Sequence, residues 1–191
     1  MADMLRGHGY KTHAIGKWHL GFHSVNHTPV FRGFDSFLGM YLGSASYYNH
    51  DNMGAYDFRY NIKRADGTLS DTVLEAYKGI YSTEIYTNRT LDILSRHTEA
   101  YGDSRPLFVY LAYQTPHGPF EAPPQQYMKQ AVKSGKKARR TYSGMVSAMD
   151  YGVGEIVGRL EELEMLDNTL LVFTSDNGGV MGEYACNFPL R

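Results

Sequence analysis

The chain has 191 residues, 42% of them hydrophobic and 14% aromatic, which is enough apolar side chain to fill the core of one domain. A formal net charge of -1 gives no global field that would draw in nucleic acid or an anionic membrane, and the single cysteine, Cys186, excludes an internal disulfide framework. No stretch is apolar for the length of a membrane span, and the N-terminus lacks the basic-then-apolar layout of a signal peptide.

Residues 1–6 read as the last turns of a helix that Gly7 or Gly9 ends in a left-handed conformation. Residues 11–15 form a short apolar strand, followed by Lys17-Trp18-His19 between Gly16 and Gly21. From Gly33 to Tyr60 the chain is rich in glycine and tyrosine without a clean period, which predicts an irregular excursion over the sheet edge. A helix is expected from about Ser70 or Thr72 through Arg96, with Leu74, Tyr77, Ile80, Tyr81, Ile85 and Leu91 near one face and Ser70 or Asp71 as N-cap.

The continuous apolar run at 106–113, bounded by proline on both sides, predicts a strand buried on both faces, and a Pro-rich loop follows from Pro116 to Pro124. A second long helix is expected from about Thr141 to Glu164, where Met145, Met149, Val153, Ile156, Val157, Leu160 and Leu163 recur at helical spacing. Residues 169–174 then return as a strand. Helix, short turn, strand and polar cluster make half of a βαβ unit, so the predicted fold is α/β, a largely parallel sheet flanked by helices.

Three polar clusters follow predicted strands: Lys17-Trp18-His19, Gln114-Thr115-Pro116-His117 and Asp176-Asn177-Gly178-Gly179. Ligands of open α/β sheets bind beyond the carboxyl ends of the strands, so the three clusters would converge on one site. Asp-Asn-Gly-Gly alone is an ordinary turn sequence, yet it sets a carboxylate beside an amide oxygen, which suits Ca2+ or Mg2+. Lys17 and His19, two residues apart on extended backbone, would share one side while Trp18 points to the core. A fixed cation, two imidazoles and a hard-metal ligand pair suit an anionic ester. The basic run Lys133, Lys136, Lys137, Arg139 and Arg140 has no aromatic platform interleaved with it and reads as a solvated loop. His8, His13, His23 and His27 lack paired metal spacing.

Gly16-Lys17-Trp18-His19-Leu20-Gly21 resembles the second signature motif of the sulfatases, and the likeness continues through Arg32-Gly33-Phe34-Asp35, Tyr81-Ser82-Thr83, 106–112, His117, 142–146, Asp150 and 176–179. It is nearest to the arylsulfatase B group with arylsulfatases I and J, within the alkaline-phosphatase superfamily. The resemblance implies that Lys17 binds the sulfate and the nucleophile's oxygen and that His19 helps break down the sulfated enzyme intermediate. It further implies that His117 contacts the sulfate and protonates the leaving alcohol, that Ser44 contacts the sulfate, and that Asp176 and Asn177 are two Ca2+ ligands, with Mg2+ as the other candidate. The substrate implied is a sulfated carbohydrate or an aryl sulfate, the best-known relative removing 4-sulfate from N-acetylgalactosamine.

Sulfatases make their formylglycine nucleophile from cysteine in a Cys-x-Pro-Ser-Arg motif upstream of the lysine–histidine pair, where this chain has no cysteine. Cys186-Asn187-Phe188-Pro189-Leu190-Arg191 carries its proline one place too late, and Cys186 reads as structural. Residues 1–191 are therefore expected to be an internal portion of one catalytic domain, inactive alone, from a lysosomal or secreted parent. Asn26-His27-Thr28 and Asn88-Arg89-Thr90 fit the glycosylation pattern of such a parent. The competing expectations are a non-catalytic truncated sulfatase-like protein and a metal-dependent phosphohydrolase of the same superfamily.

Overall fold

Strand β1 (Lys11–Lys17) lies inside a five-stranded sheet and pairs in parallel with β2 (Ser36–Met40) on one side and β7 (Leu107–Ala112) on the other. Beyond β2 the sheet continues antiparallel through β5 (Arg59–Lys63) and β6 (Leu69–Val73), giving the order β6-β5-β2-β1-β7. Between β2 and β5, β3 (Asp51–Asn52) and β4 (Ala55–Tyr56) form a small separate hairpin. The structure, a computed structural model, describes residues 1–133, 135–179 and 188–189. Cys186, with Asn187, Leu190 and Arg191, lies outside the described residues.

Strand alternation sends neighbouring residues to opposite faces of the sheet. Ala14, Phe37 and Phe108 join Trp18, Val30 and Phe34 on one face, where α1 (Ala2–Gly7) contributes Ala2. Ile15, Leu38, Val109 and Leu111 pack on the other against Ile85, Tyr86 and Ile93 of α2 (Ser82–Tyr101). After the short α3 (Gln125–Met128), α4 (Lys137–Glu162) lies outside α2, and its Ile156 and Leu160 pack against Leu94. The two helices cross closely at Gly152, where a Cβ would come within 2.5 Å of Thr87 Oγ1.

Several expectations are corrected. The region from Gly33 to Tyr60 contains β2, which is wholly buried, and the start of β5. Glycine masked that strand, and close packing explains it: a Cβ on Gly39 would sit 1.9 Å from the Gly16 carbonyl oxygen, and one on Gly16 would sit 2.0 Å from that of Ala112. The helix expected from about Ser70 starts only at Ser82, because 69–73 pairs with β5 as β6 and Gly79 takes a positive φ of 91°. Leu74 and Tyr77 still pack on the core, but from a non-helical connection.

The strand at 106–113 forms as β7, though not buried on both faces. It ends the sheet, and Tyr110 is 44% exposed. Residues 169–174 form no strand, and Leu170, Leu171, Val172 and Phe173 are exposed. Among the described residues nothing pairs with the outer edge of β7, so the run leaves that edge open.

Candidate active site

Because β1 and β7 run parallel side by side, their carboxyl ends deliver the first two polar clusters to the same edge of the sheet. Lys17 is the last residue of β1, and the next two backbone N–H groups continue the register, Trp18 donating to the Met40 carbonyl at 2.9 Å and His19 to that of Tyr41 at 3.1 Å. Trp18 turns into the core as expected, its indole N–H donating to the carbonyls of Gly21 and His27. His19 departs from expectation in having φ of 50°, so the backbone is no longer extended where the two-residue spacing was to place it beside Lys17. Gly43 clears the space beside its imidazole, since a Cβ there would lie 2.5 Å from His19 Nε2.

Two carboxylates secure the loops around these residues. Asp57, 5% exposed, accepts the N–H groups of Tyr41 at 3.1 Å and Leu42 at 2.7 Å, clamping the chain just beyond β2. Glu121 accepts from the Tyr47 N–H at 2.6 Å and from the Ser46 hydroxyl. No periodicity marks either residue, and sequence reasoning missed both.

After β7, Gln114 is buried and bridges three segments. Its side chain donates to the Ala45 carbonyl and accepts from Ser82 Oγ at 3.1 Å, and its backbone carbonyl accepts the His117 N–H at 3.0 Å. His117 itself is exposed. Its Nδ1 lies 2.8 Å from the Gly118 carbonyl, which can only accept, so Nδ1 carries a proton and Nε2 is the nitrogen left for a substrate.

The third cluster reaches the site even though its strand does not form. Asp176 Oδ2 lies 3.9 Å from Lys17 Nζ, the lysine side chain 14% exposed and the aspartate 74%. Asn177 donates its amide N–H to the Gly178 carbonyl at 2.8 Å, which leaves its amide oxygen available. Carboxylate and amide oxygens fit a hard cation, but two ligands are well short of the six or more that Ca2+ takes. Among the described residues no cluster of three His, Cys, Asp or Glu groups completes the shell. Ser44 lies beyond β2 on the same edge, where Asn52 donates to its carbonyl at 2.7 Å and its hydroxyl at 3.2 Å, and among the described residues no hydrogen bond joins it to Lys17, His19 or His117.

The sheet with its flanking helices and strand-end site defines an α/β protein of the alkaline-phosphatase-like fold. The Sulfatase family model matches residues 1–191, and the chain belongs to that family. It is 36% identical to arylsulfatase J of Mus musculus over 194 residues, covering 100% of this chain and 31% of the relative. It is 30% identical to the uncharacterized sulfatase YdeN of Escherichia coli (strain K12), covering 95% of this chain and 33% of the relative. Among solved structures, Ps i-CgsB superposes with a TM-score of 0.80 at 32% identity, covering all of this chain and 42% of that one. The same protein in complex with k-i-k-neocarrahexaose gives a TM-score of 0.79, with 98% of this chain and 42% of that one covered. The chain thus spans about a third of the length of these curated relatives.

Proposed function

We propose that the full-length protein containing this chain hydrolyses sulfuric esters of carbohydrates, or aryl sulfates, with Lys17, His19 and His117 as its catalytic residues. The observation that carries this reading is the parallel pairing of β1 with β7, which brings Lys17 and His117 to one sheet edge, with Asp176 3.9 Å from the lysine. A lysine side chain only 14% exposed at a strand end is suited to holding an anionic sulfate, and His117, when both ring nitrogens are protonated, can give its Nε2 proton to the departing alcohol while Nδ1–H stays on the Gly118 carbonyl. His19 offers a second imidazole for proton transfer, and Ser44 a hydroxyl at the rim.

Asp176 and Asn177 would offer two oxygen ligands to Ca2+, with Mg2+ as the other candidate, and the remaining ligands would come from elsewhere in the protein. Formylglycine in the full-length protein would supply the nucleophilic oxygen. A carbohydrate sulfate is favoured because a matching relative, the pig enzyme, is named N-acetylgalactosamine-6-sulfatase and Ps i-CgsB was solved with an oligosaccharide. An arylsulfatase or N-acetylgalactosamine-4-sulfatase type of activity is the form proposed. Lysosomal or secreted localisation accords with the exposed Asn26 and Asn88 as glycosylation sites.

The test is sulfate release from 4-nitrocatechol sulfate and from 4- and 6-sulfated N-acetylgalactosamine. The full-length protein is expected to turn over at least one of them in a calcium-dependent way, and residues 1–191 alone none. No turnover by the full-length protein, or turnover of phosphate esters only, would overturn the reading.

A further inference from the structure

Tyr47 is entirely buried, yet its hydroxyl ends at the backbone of the turn that carries His117, 2.9 Å from the His117 carbonyl and 3.2 Å from the Gln114 carbonyl. Both partners are acceptors, so the single phenolic proton is shared between them and spans the two ends of the turn. The ring has little freedom, since it stacks on Tyr81 with centroids 5.1 Å apart and planes 18° apart. Burial, the dominant cause, holds the phenol far above its ordinary pKa, so the group remains a donor at any working pH.

The same short segment is gripped from the far side of the turn, where Glu121 accepts the Tyr47 N–H at 2.6 Å and the Ser46 hydroxyl at 3.1 and 3.2 Å. Residues 46 and 47 therefore hold the 114–121 loop at two points, one at His117 and one four residues on. His117 is exposed, and among the described residues its imidazole bonds only within its own turn, to the Gly118 carbonyl. The direction of its Nε2 is therefore set through the backbone that Tyr47 holds.

We infer that Tyr47, with Glu121 behind it, is a positioning residue that aims the His117 imidazole at the leaving-group oxygen. The inference rests on the reading of His117 as the proton donor, and the test separates the two. A positioned general acid contributes on the order of 10^2 to 10^4-fold, and its contribution grows as the leaving alcohol becomes less acidic. The full-length sulfatase carrying Tyr47→Phe, which keeps the stacked ring and removes only the hydroxyl, is assayed on sulfate esters of graded leaving-group pKa beside wild type and His117→Ala.

The expected result is a steeper leaving-group dependence in both variants. With Tyr47→Phe, kcat should fall roughly tenfold on an alkyl or sugar sulfate, with KM little changed, and only about twofold on a nitrophenyl sulfate. Glu121→Gln, which keeps the side-chain volume, should show the same pattern in weaker form and serves if Tyr47→Phe does not fold. An equal loss on every ester, or a lowered melting temperature with unchanged leaving-group dependence, would reduce Tyr47 to a packing residue and overturn the inference. If His117→Ala also leaves the dependence unchanged, the assignment of His117 as acid fails, and the positioning role with it.

Discussion

Lys17 Nζ and Asp176 Oδ2 stand 3.9 Å apart, joining the end of β1 to the Asp-Asn turn almost 160 residues later. An ammonium group this close to a carboxylate competes with any cation that the carboxylate would ligate, because both are drawn to the same oxygen. Charge removal at Lys17 should therefore act in opposite directions on turnover and on metal affinity. In the full-length protein Lys17→Met is expected to lower kcat by about 100-fold or more, the scale of losing one preorganised charge contact to a reacting oxyanion. Calcium should bind the same variant several-fold more tightly than wild type, as read by isothermal titration. Loss of both activity and calcium affinity would show instead that Lys17 supports the fold of the metal turn.

Asp57 is expected to be the most costly single carboxylate to remove near the site. It is buried and accepts two backbone N–H groups, from Tyr41 and Leu42, and the Tyr41 carbonyl in turn holds the His19 N–H. Asp57→Ala leaves both donors without an acceptor, a cost of about 2–4 kcal/mol. Asp57→Asn keeps one carbonyl-type oxygen and should cost about half as much. Urea denaturation of the three proteins checks the order, and Asp57→Ala within about 0.5 kcal/mol of wild type would show that water replaces the carboxylate.

The elements legible in the sequence were those with one strong signal. β1 and β7 are short apolar runs, and α4 repeats apolar residues at 145, 149, 153, 156 and 160 over more than four turns. β2 was hidden because its neighbours demanded glycine: Gly16 and Gly39 face each other across two strands too close for a Cβ, so the residues that make the packing possible are those that read as breakers. β6 was lost because its hairpin partner β5 begins inside the same glycine- and tyrosine-rich stretch. At the site the residues with distinctive chemistry, lysine, histidine and the Asp-Asn pair, could be named from sequence. Tyr47, Asp57 and Glu121 act through backbone groups of distant segments, a relation that only the folded chain reveals.

His13 gives the fold a pH dependence of defined sign. Its Nδ1 lies 2.7 Å from Ser36 Oγ across the β1–β2 pair. Burial first of all, with Arg89, Lys11 and His97 adding to it and Asp35 opposing, depresses its pKa from 6.5 to about 4. Between those values the unfolded chain binds a proton that the folded one refuses, so stability falls as pH drops from 6.5 towards 4. From pH about 7 to about 5 the loss attributable to His13 is about 2 kcal/mol. Replacing His13 with Gln should remove that slope while leaving neutral-pH stability within about 1 kcal/mol. Parallel urea titrations at the two pH values decide it, and an equal acid loss in variant and wild type would place the sensitivity in other groups.

The outer edge of β7 is expected to make the 191-residue chain self-associate. Six ladder positions, 107–112, are unpaired on that side among the described residues, and Tyr110 is 44% exposed. Leu170, Leu171, Val172 and Phe173 add four consecutive exposed apolar side chains with exposures from 53% to 89%. An unpaired strand edge together with an exposed apolar run is the pattern from which edge-to-edge aggregation starts. Charging the run leaves the folded core untouched, because none of the four residues packs in it. Leu170→Lys with Val172→Glu is therefore expected to raise the soluble fraction of the isolated chain several-fold and to shift its elution on size exclusion from aggregate towards monomer. Unchanged aggregation in that double variant would assign the association to the β7 edge alone, and a Val109→Lys substitution, which would bury a charge, could not repair it. A monomeric wild-type chain at tens of micromolar would show that neither surface drives association.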